Sequence, residues 1–124
     1  MKILKFGGAS VKDAEGIQNV CNVLKTIKAN EVLIVVSAMG KTTNALEVVI
    51  KNYFEKSDEL ESSVQDIKDY HFRILSKLFE PTHSVFSEVE NYFFDLNQFL
   101  EQNKSPNYNF VYDQIVSFGE MISS

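Results

Sequence analysis

The stretch LIVVSAMGKTTNAL, Leu33 to Leu46, ends a run of apolar residues on a cluster of small and polar ones, and its Gly40-Lys41-Thr42 looks like the close of a phosphate-binding P-loop. A P-loop has the spacing G-x-x-x-x-G-K-[ST], so its first glycine would stand at position 35, where a missing side chain lets backbone N–H groups wrap the phosphates. Position 35 is Val35, inside the β-branched run Val32-Leu33-Ile34-Val35-Val36, which reads as a buried strand. The P-loop geometry is excluded. Ser37, Gly40, Thr42, Thr43 and Asn44 are instead a polar cluster at the carboxyl end of a strand.

Upstream, Lys2-Ile3-Leu4-Lys5-Phe6 alternates charged and apolar residues as a short strand does, and Gly7-Gly8 punctuates it as a turn. From about Asp13 to Lys28 the apolar residues Ile17, Val20, Cys21, Leu24 and Ile27 recur at helical spacing, with Asn30 as the stop before the second strand at about Glu31 to Ser37. Strand, glycine turn, helix and strand over about 36 residues make one βαβ unit, hence two parallel strands. Cys21, the single cysteine, shares a helical face with its apolar neighbours and is expected in the core.

Downstream the pattern is helical. One segment carries Leu46, Val49, Ile50 and Tyr53-Phe54, a second Leu60, Val64, Ile67, His71, Ile74 and Leu78, and a third Val85, Val89, Phe93, Leu96 and Phe99. Breaks at Lys56-Ser57-Asp58 and Glu80 to Ser84 predict antiparallel helices packed as a hairpin. Asn103 to Asn109 reads as a polar loop, followed by a last helix from about Phe110. A βαβ unit needs more than two strands to build a sheet covered on both faces, so the expectation is a fragment of a longer protein or a chain that assembles with others.

The 124 residues are 44% hydrophobic and 23% charged, an ordinary composition for one globular domain. No apolar run reaches a membrane span and no signal-peptide layout precedes the first strand, so a cytoplasmic protein without a membrane partner is expected. The net charge of −5 argues against a nucleic-acid partner. Residues 1–50 nevertheless carry six basic and four acidic side chains, a slight positive excess that sits with the glycines and suits a small anion.

Three clusters can do chemistry. In KFGGAS, Lys5 to Ser10, a lysine at a strand end is followed by Gly7 and Gly8 and then by a helix, an arrangement that cradles a phosphate and that serves equally as a plain βα turn. In SAMGKTTN, Ser37 to Asn44, hydroxyls and amides face the same crevice at the carboxyl edge of a parallel sheet, while Thr43 or Asn44 can also cap the next helix. In SFGEMISS, Ser117 to Ser124, Gly119 interrupts an apolar helix, as at a close approach to a neighbour, and Glu120 lies among Phe118, Met121 and Ile122 as a partly buried acid or a surface one. His71 and His83 have no second ligand at metal spacing and read as a helix-packing and a loop residue; no metal site is expected.

In this order the three clusters resemble the N-terminal part of the aspartate kinases, members of the amino-acid kinase family. Lys5-Phe6-Gly7-Gly8-Ala9-Ser10-Val11 is similar to the family's K-F-G-G-T-S-V opening, with Ala9 in place of the threonine. Ser37 to Asn44 is similar to its second glycine/threonine loop and Gly119-Glu120 to its G-E element. The resemblance implies an α/β fold, the βαβ start of a parallel-sheet, carbamate-kinase-like domain with a mostly helical insertion. Residues 1–124 would be its amino-acid-substrate side, with the rest of the catalytic domain and the ACT regulatory domains outside this chain. It implies transfer of the γ-phosphoryl of Mg·ATP to the β-carboxylate of L-aspartate, the first step toward lysine, threonine and methionine, by a parent that is a homo-oligomer; the 124 residues alone are expected to be inactive. Carried over by motif, Lys5 neutralises the transferring phosphoryl, Gly7, Gly8 and Ser10 hold ATP phosphates, and Ser37, Thr43 and Glu120 hold aspartate, with ATP and Mg2+ as cofactors. Kinases of acetylglutamate, glutamate or carbamate, and a non-catalytic helical interaction module, remain the alternatives.

Overall fold

The computed structural model describes residues 1–28 and 30–124. Strand β1 (Lys2–Phe6) runs through Gly7 into a 3-10 turn (Gly8–Val11) and helix α1 (Ala14–Thr26), then strand β2 (Val32–Val36). The strands pair in parallel, Lys2 opposite Val32 through Phe6 opposite Val36, as the βαβ reading requires. Asp13 starts α1 by accepting the Gly16 N–H on its Oδ1 at 2.8 Å, which satisfies one of the free donors of the first turn. Four helices follow: α2 (Thr42–Glu55), α3 (Leu60–Leu78), α4 (Val85–Gln102) and α5 (Tyr108–Ser123).

The helices hold the larger core. Leu46, Val49 and Ile50 of α2 pack with Ile67 of α3, Phe93 and Leu96 of α4 and Ile115 of α5, all buried. Each such side chain contributes about 1.5–3 kcal/mol when fully removed from water. α2 packs most extensively, against both α3 and α5, while α3 and α4 touch more lightly, so the hairpin expected from the sequence closes around α2. His71 is buried on α3, and His83 lies in the α3–α4 connection, where its Nδ1 accepts the Val85 N–H at 3.0 Å. A second, smaller cluster of Val11, Ala14, Met39 and Ile74 ties the 3-10 turn and α1 to α3.

Several expectations are corrected. The strand Val32–Val36 is not buried: Leu33 is 48% and Ile34 44% exposed, because the sheet among the described residues has two strands and the helices cover little of it. Cys21 is exposed rather than in the core. At 100° per residue it stands about 80° from the centre of the stripe formed by Ile17, Val20, Leu24 and Ile27, which are the half-buried ones. Neither Thr43 nor Asn44 caps α2. Gly40, at φ +54°, turns the chain early, so Lys41 takes the cap position with no side-chain cap and Thr43 falls inside the first turn. Tyr108 and Asn109 belong to α5 and not to a loop, since Asn107 Oδ1 accepts the Phe110 N–H at 3.1 Å and starts the helix two residues before Phe110.

Candidate active site

Because β1 and β2 are parallel and end level, the segments that leave them emerge side by side. The Ser37 N–H donates to Phe6 O at 3.1 Å, extending the ladder by one step, and the Gly40 N–H donates to Gly8 O at 3.0 Å. This second bond joins the two glycine loops directly. It needs glycine at position 8: a Cβ there would lie 2.7 Å from Gly40 O and 3.1 Å from Ala38 O, both fixed backbone atoms. Gly7 is different. Its backbone is extended (φ −79°, ψ 173°), which any residue adopts, and a Cβ on it would meet nothing within 4 Å. Among the described residues packing does not require Gly7, and the flank beside it is open to the approach of another group.

Lys5 is exposed and lies between half-buried Leu4 and Phe6, so strand alternation turns it to the open face of the sheet. Ser10 is exposed in the 3-10 turn, its N–H held by Gly7 O at 3.0 Å. Ser37 and Thr43 are half-buried. The Ser37 hydroxyl makes only a long 3.4 Å bond to Ala38 O and so keeps capacity for a further partner. Thr42 is buried and its Oγ1 donates to Met39 O at 2.5 Å; of the two adjacent threonines, this one serves the loop itself.

α5 approaches from the other side. Gly119 is buried against the second loop: a Cβ there would come within 3.1 Å of Ala38 Cβ, 3.1 Å of Leu46 Cδ1 and 3.2 Å of Thr42 Cγ2. The close approach read from the sequence is present. Glu120 is exposed, which decides between the two readings left open by the sequence in favour of a surface acid. The buried stripe of α5 runs Val111, Ile115, Gly119 at spacing four, and Glu120 falls about 100° to its side. Its neighbour in the chain, Gly119, is nevertheless the residue that packs on Ala38 and Thr42, between Ser37 and Thr43 in sequence. The structure therefore gathers the two glycine loops and the Gly119-Glu120 turn around one end of the sheet, while Lys41 contributes a cap position and an exposed side chain.

Sequence reasoning missed Tyr70. From α3 its hydroxyl donates to Lys12 O and stands over Gly40, where a Cβ would clash with it at 2.6 Å. Burial, and then the negative charge of Asp13, raises the Tyr70 pKa above the usual phenol value, so the hydroxyl stays a donor. Nothing in the local sequence distinguishes this aromatic from its core neighbours. Tyr70, Ala9, Lys12, Lys41, Val48 and Ile67 line part of a groove of about 620 Å3 behind the loops, and none of the predicted site residues faces it.

A model of the amino acid kinase family matches residues 1–124. The chain belongs to the amino acid kinase family. It is similar to chloroplastic aspartokinase 1 of Arabidopsis thaliana, 33% identical over an alignment of 130 positions that covers 98% of this chain and 22% of that protein. Among solved structures it is similar to E. coli aspartokinase III in complex with lysine and aspartate, at a TM-score of 0.84 and 26% identity over 99% of this chain and 27% of that one. The same enzyme in complex with aspartate and ADP aligns at a TM-score of 0.78. The chain spans about a fifth of the length of the curated relatives it matches, at 22% and 23%. As in those aspartokinases the architecture is α/β, here a parallel strand pair followed by a mostly helical segment.

Proposed function

We propose that residues 1–124 form the N-terminal, amino-acid-substrate side of an aspartate kinase catalytic domain, whose parent protein transfers the γ-phosphoryl of ATP to the β-carboxylate of L-aspartate. A carboxylate oxygen attacks the γ-phosphorus as the bond to ADP breaks, giving 4-phospho-L-aspartate. The nucleophile is already an anion, so the task of the protein is alignment and charge neutralisation. The observation that carries the reading is the Gly40 N–H to Gly8 O bond, which holds a phosphate-type turn and a hydroxyl-bearing loop as adjoining walls of one crevice.

On the first wall Lys5 neutralises the transferring phosphoryl, and Gly7, Gly8 and Ser10 hold nucleotide phosphates, with the open flank of Gly7 as the approach. On the second wall Ser37 and Thr43 hold the substrate carboxylates by hydroxyl donation, and Glu120 accepts its ammonium group. The aspartokinase complexes with aspartate and with ADP support these assignments by resemblance. Mg2+ enters as the companion of the nucleotide; no three His, Cys, Asp or Glu side chains converge among the described residues to hold it. Action in the cytoplasm as a homo-oligomer belongs to the same proposal; no described helix is long and apolar enough to cross a membrane.

The test is Lys5→Ala in the full-length protein. Loss of aspartate-dependent ADP release by at least about 100-fold, the scale of one transition-state charge contact, with aspartate binding retained, supports the reading. Full activity in that variant counts against it. Running wild type against aspartate, glutamate, acetylglutamate and carbamate separates the aspartate assignment from the other kinases of the family.

A further inference from the structure

The buried polar groups least explained by folding are two atoms whose residues line one small cavity. His71 is 2% exposed, and its Nδ1 lies 2.8 Å from Ile67 O. A carbonyl only accepts, so Nδ1 carries the proton and Nε2 presents a bare lone pair. Burial holds the His71 pKa below its ordinary value, which keeps the ring neutral and Nε2 an acceptor at neutral pH. Among the described residues Nε2 has no hydrogen-bond partner, and neither does the buried hydroxyl of Ser123 near the end of α5. Both residues line the same cavity of about 190 Å3, whose other walls, including Met39, Ile74, Val89 and Ile122, are apolar apart from Ser124, whose hydroxyl donates to Met121 O at 2.9 Å. A buried acceptor and a buried donor left alone are each costly, and in that setting each is the other's natural partner.

We propose that His71 is a positioning residue for the substrate-binding turn of α5: its Nε2 accepts the Ser123 hydroxyl, directly after a rotation of the serine side chain or through one water. The cavity has ample room for a water, which needs about 30 Å3. The consequence is geometric. Gly119 fixes the last turns of α5 against Ala38 and Thr42 of the second loop, and Ser123, one turn further on, fixes them against α3. Two anchors set both the axial position and the rotation of the helix, and with them the direction in which Glu120 leaves it. This inference rests on the reading of Glu120 as the acceptor for the substrate ammonium.

The experiment uses full-length protein with selectively 15N-labelled histidine and the variants Ser123→Ala, His71→Phe, His71→Gln and Glu120→Gln. His71→Phe identifies the His71 ring signals. Ser123→Ala is expected to move the Nε2 signal toward that of a free lone pair and to raise the KM for aspartate about three- to tenfold, the range one hydrogen bond spans. The KM for ATP and kcat should stay within about twofold. His71→Phe should reproduce the aspartate effect, the double variant should add nothing to it, and His71→Gln, which restores an acceptor, should recover most of it. An Nε2 signal unmoved by Ser123→Ala overturns the link. A moved signal with an unchanged aspartate KM, or with both KM values raised alike, overturns the positioning role. If Glu120→Gln itself leaves aspartate KM unchanged, the reading of Glu120 is what fails, and the positioning of that residue falls with it.

Discussion

Substituting alanine at Gly7 and at Gly8 separately should give opposite outcomes, although the two glycines are adjacent and read alike in the sequence. At Gly8 the new Cβ meets Gly40 O at 2.7 Å and Ala38 O at 3.1 Å. An ordinary contact begins at 3.4 Å, about 0.7 Å more than the first of these, and neither oxygen can rotate away because both are backbone. The loops must part, which breaks the 3.0 Å bond from Gly40 N–H to Gly8 O. Loss of that bond costs about 1 kcal/mol and the displacement of packed backbone about 1–3 kcal/mol more. A destabilisation of about 2–4 kcal/mol follows, on the order of 10 °C in the unfolding temperature of a domain this size. At Gly7 the Cβ meets nothing within 4 Å and the backbone is already extended. Folding should be unchanged or improved by about 0.4–1 kcal/mol, since alanine restricts the unfolded chain.

Thermal unfolding by circular dichroism and nucleotide titration by calorimetry read the two effects apart. Gly8→Ala should lower the unfolding temperature. Gly7→Ala should leave it in place and weaken ATP binding about tenfold or more, because no described residue lies within 4 Å of the added Cβ and the proposed reading puts the nucleotide phosphates there. A Gly7→Ala variant that binds ATP as wild type does would refute the phosphate-cradle role of this glycine. A Gly8→Ala variant with unchanged unfolding would refute the contact between the loops.

Gly119→Ala gains about 1 kcal/mol of helix propensity and forces contacts of 3.1–3.2 Å on buried Ala38, Leu46 and Thr42, at about 1–3 kcal/mol. The expected net result is a small loss in denaturant midpoint with a larger rise in aspartate KM, as the Ser37–Thr43 loop is pushed from its place. For His71 the folded-state pKa lies below the ordinary 6.5, so as pH falls through that value the unfolded chain takes up a proton that the native ring refuses. Stability should therefore decline on acidification from about pH 7.5, by at most about 1.4 kcal/mol per pH unit, and level off below the folded pKa. His71→Phe should remove this part of the slope in denaturant unfolding. Glu120→Gln should raise aspartate KM about tenfold or more with ATP KM unchanged, in steady-state assays of the full-length protein, as loss of a charge-assisted contact to the ammonium requires.

The parallel strand pair and the boundaries of most helices were legible because they depend on local signals: β-branched runs, glycine punctuation and apolar residues at helical spacing. What escaped depended on contacts distant in sequence. Tyr70 reaches Lys12 across 58 positions, and no local pattern separates it from the other aromatics of the helical segment. Cys21 obeyed the helical period, but which edge of the stripe faces inward is decided by what packs against the helix, here the 3-10 turn and α3. The cap of α2 was misplaced for a related reason. Thr43 and Asn44 are good capping residues, yet a left-handed Gly40, needed where the two loops meet beneath Tyr70, starts the helix before them. Glu120 had apolar neighbours in sequence that are not its neighbours around the helix.

The way the crevice is supported has a consequence for where substitutions will be felt. Its two walls leave the sheet, which within these 124 residues is weakly covered, with Ile3 64% and Leu33 48% exposed. The second wall is held from the helical side instead: Gly119 of α5 packs on Ala38 and Thr42, and Leu46, which touches the same glycine, is embedded in the main core with Phe93 and Leu96. Tyr70 of α3 closes the same loop from the opposite flank. A cavity opened deep in the helices, as by Leu96→Ala, is thus connected to the loop through a short chain of packed side chains. The helical segment, which carries few of the residues assigned to chemistry, is in this sense the rigid backing of the substrate wall.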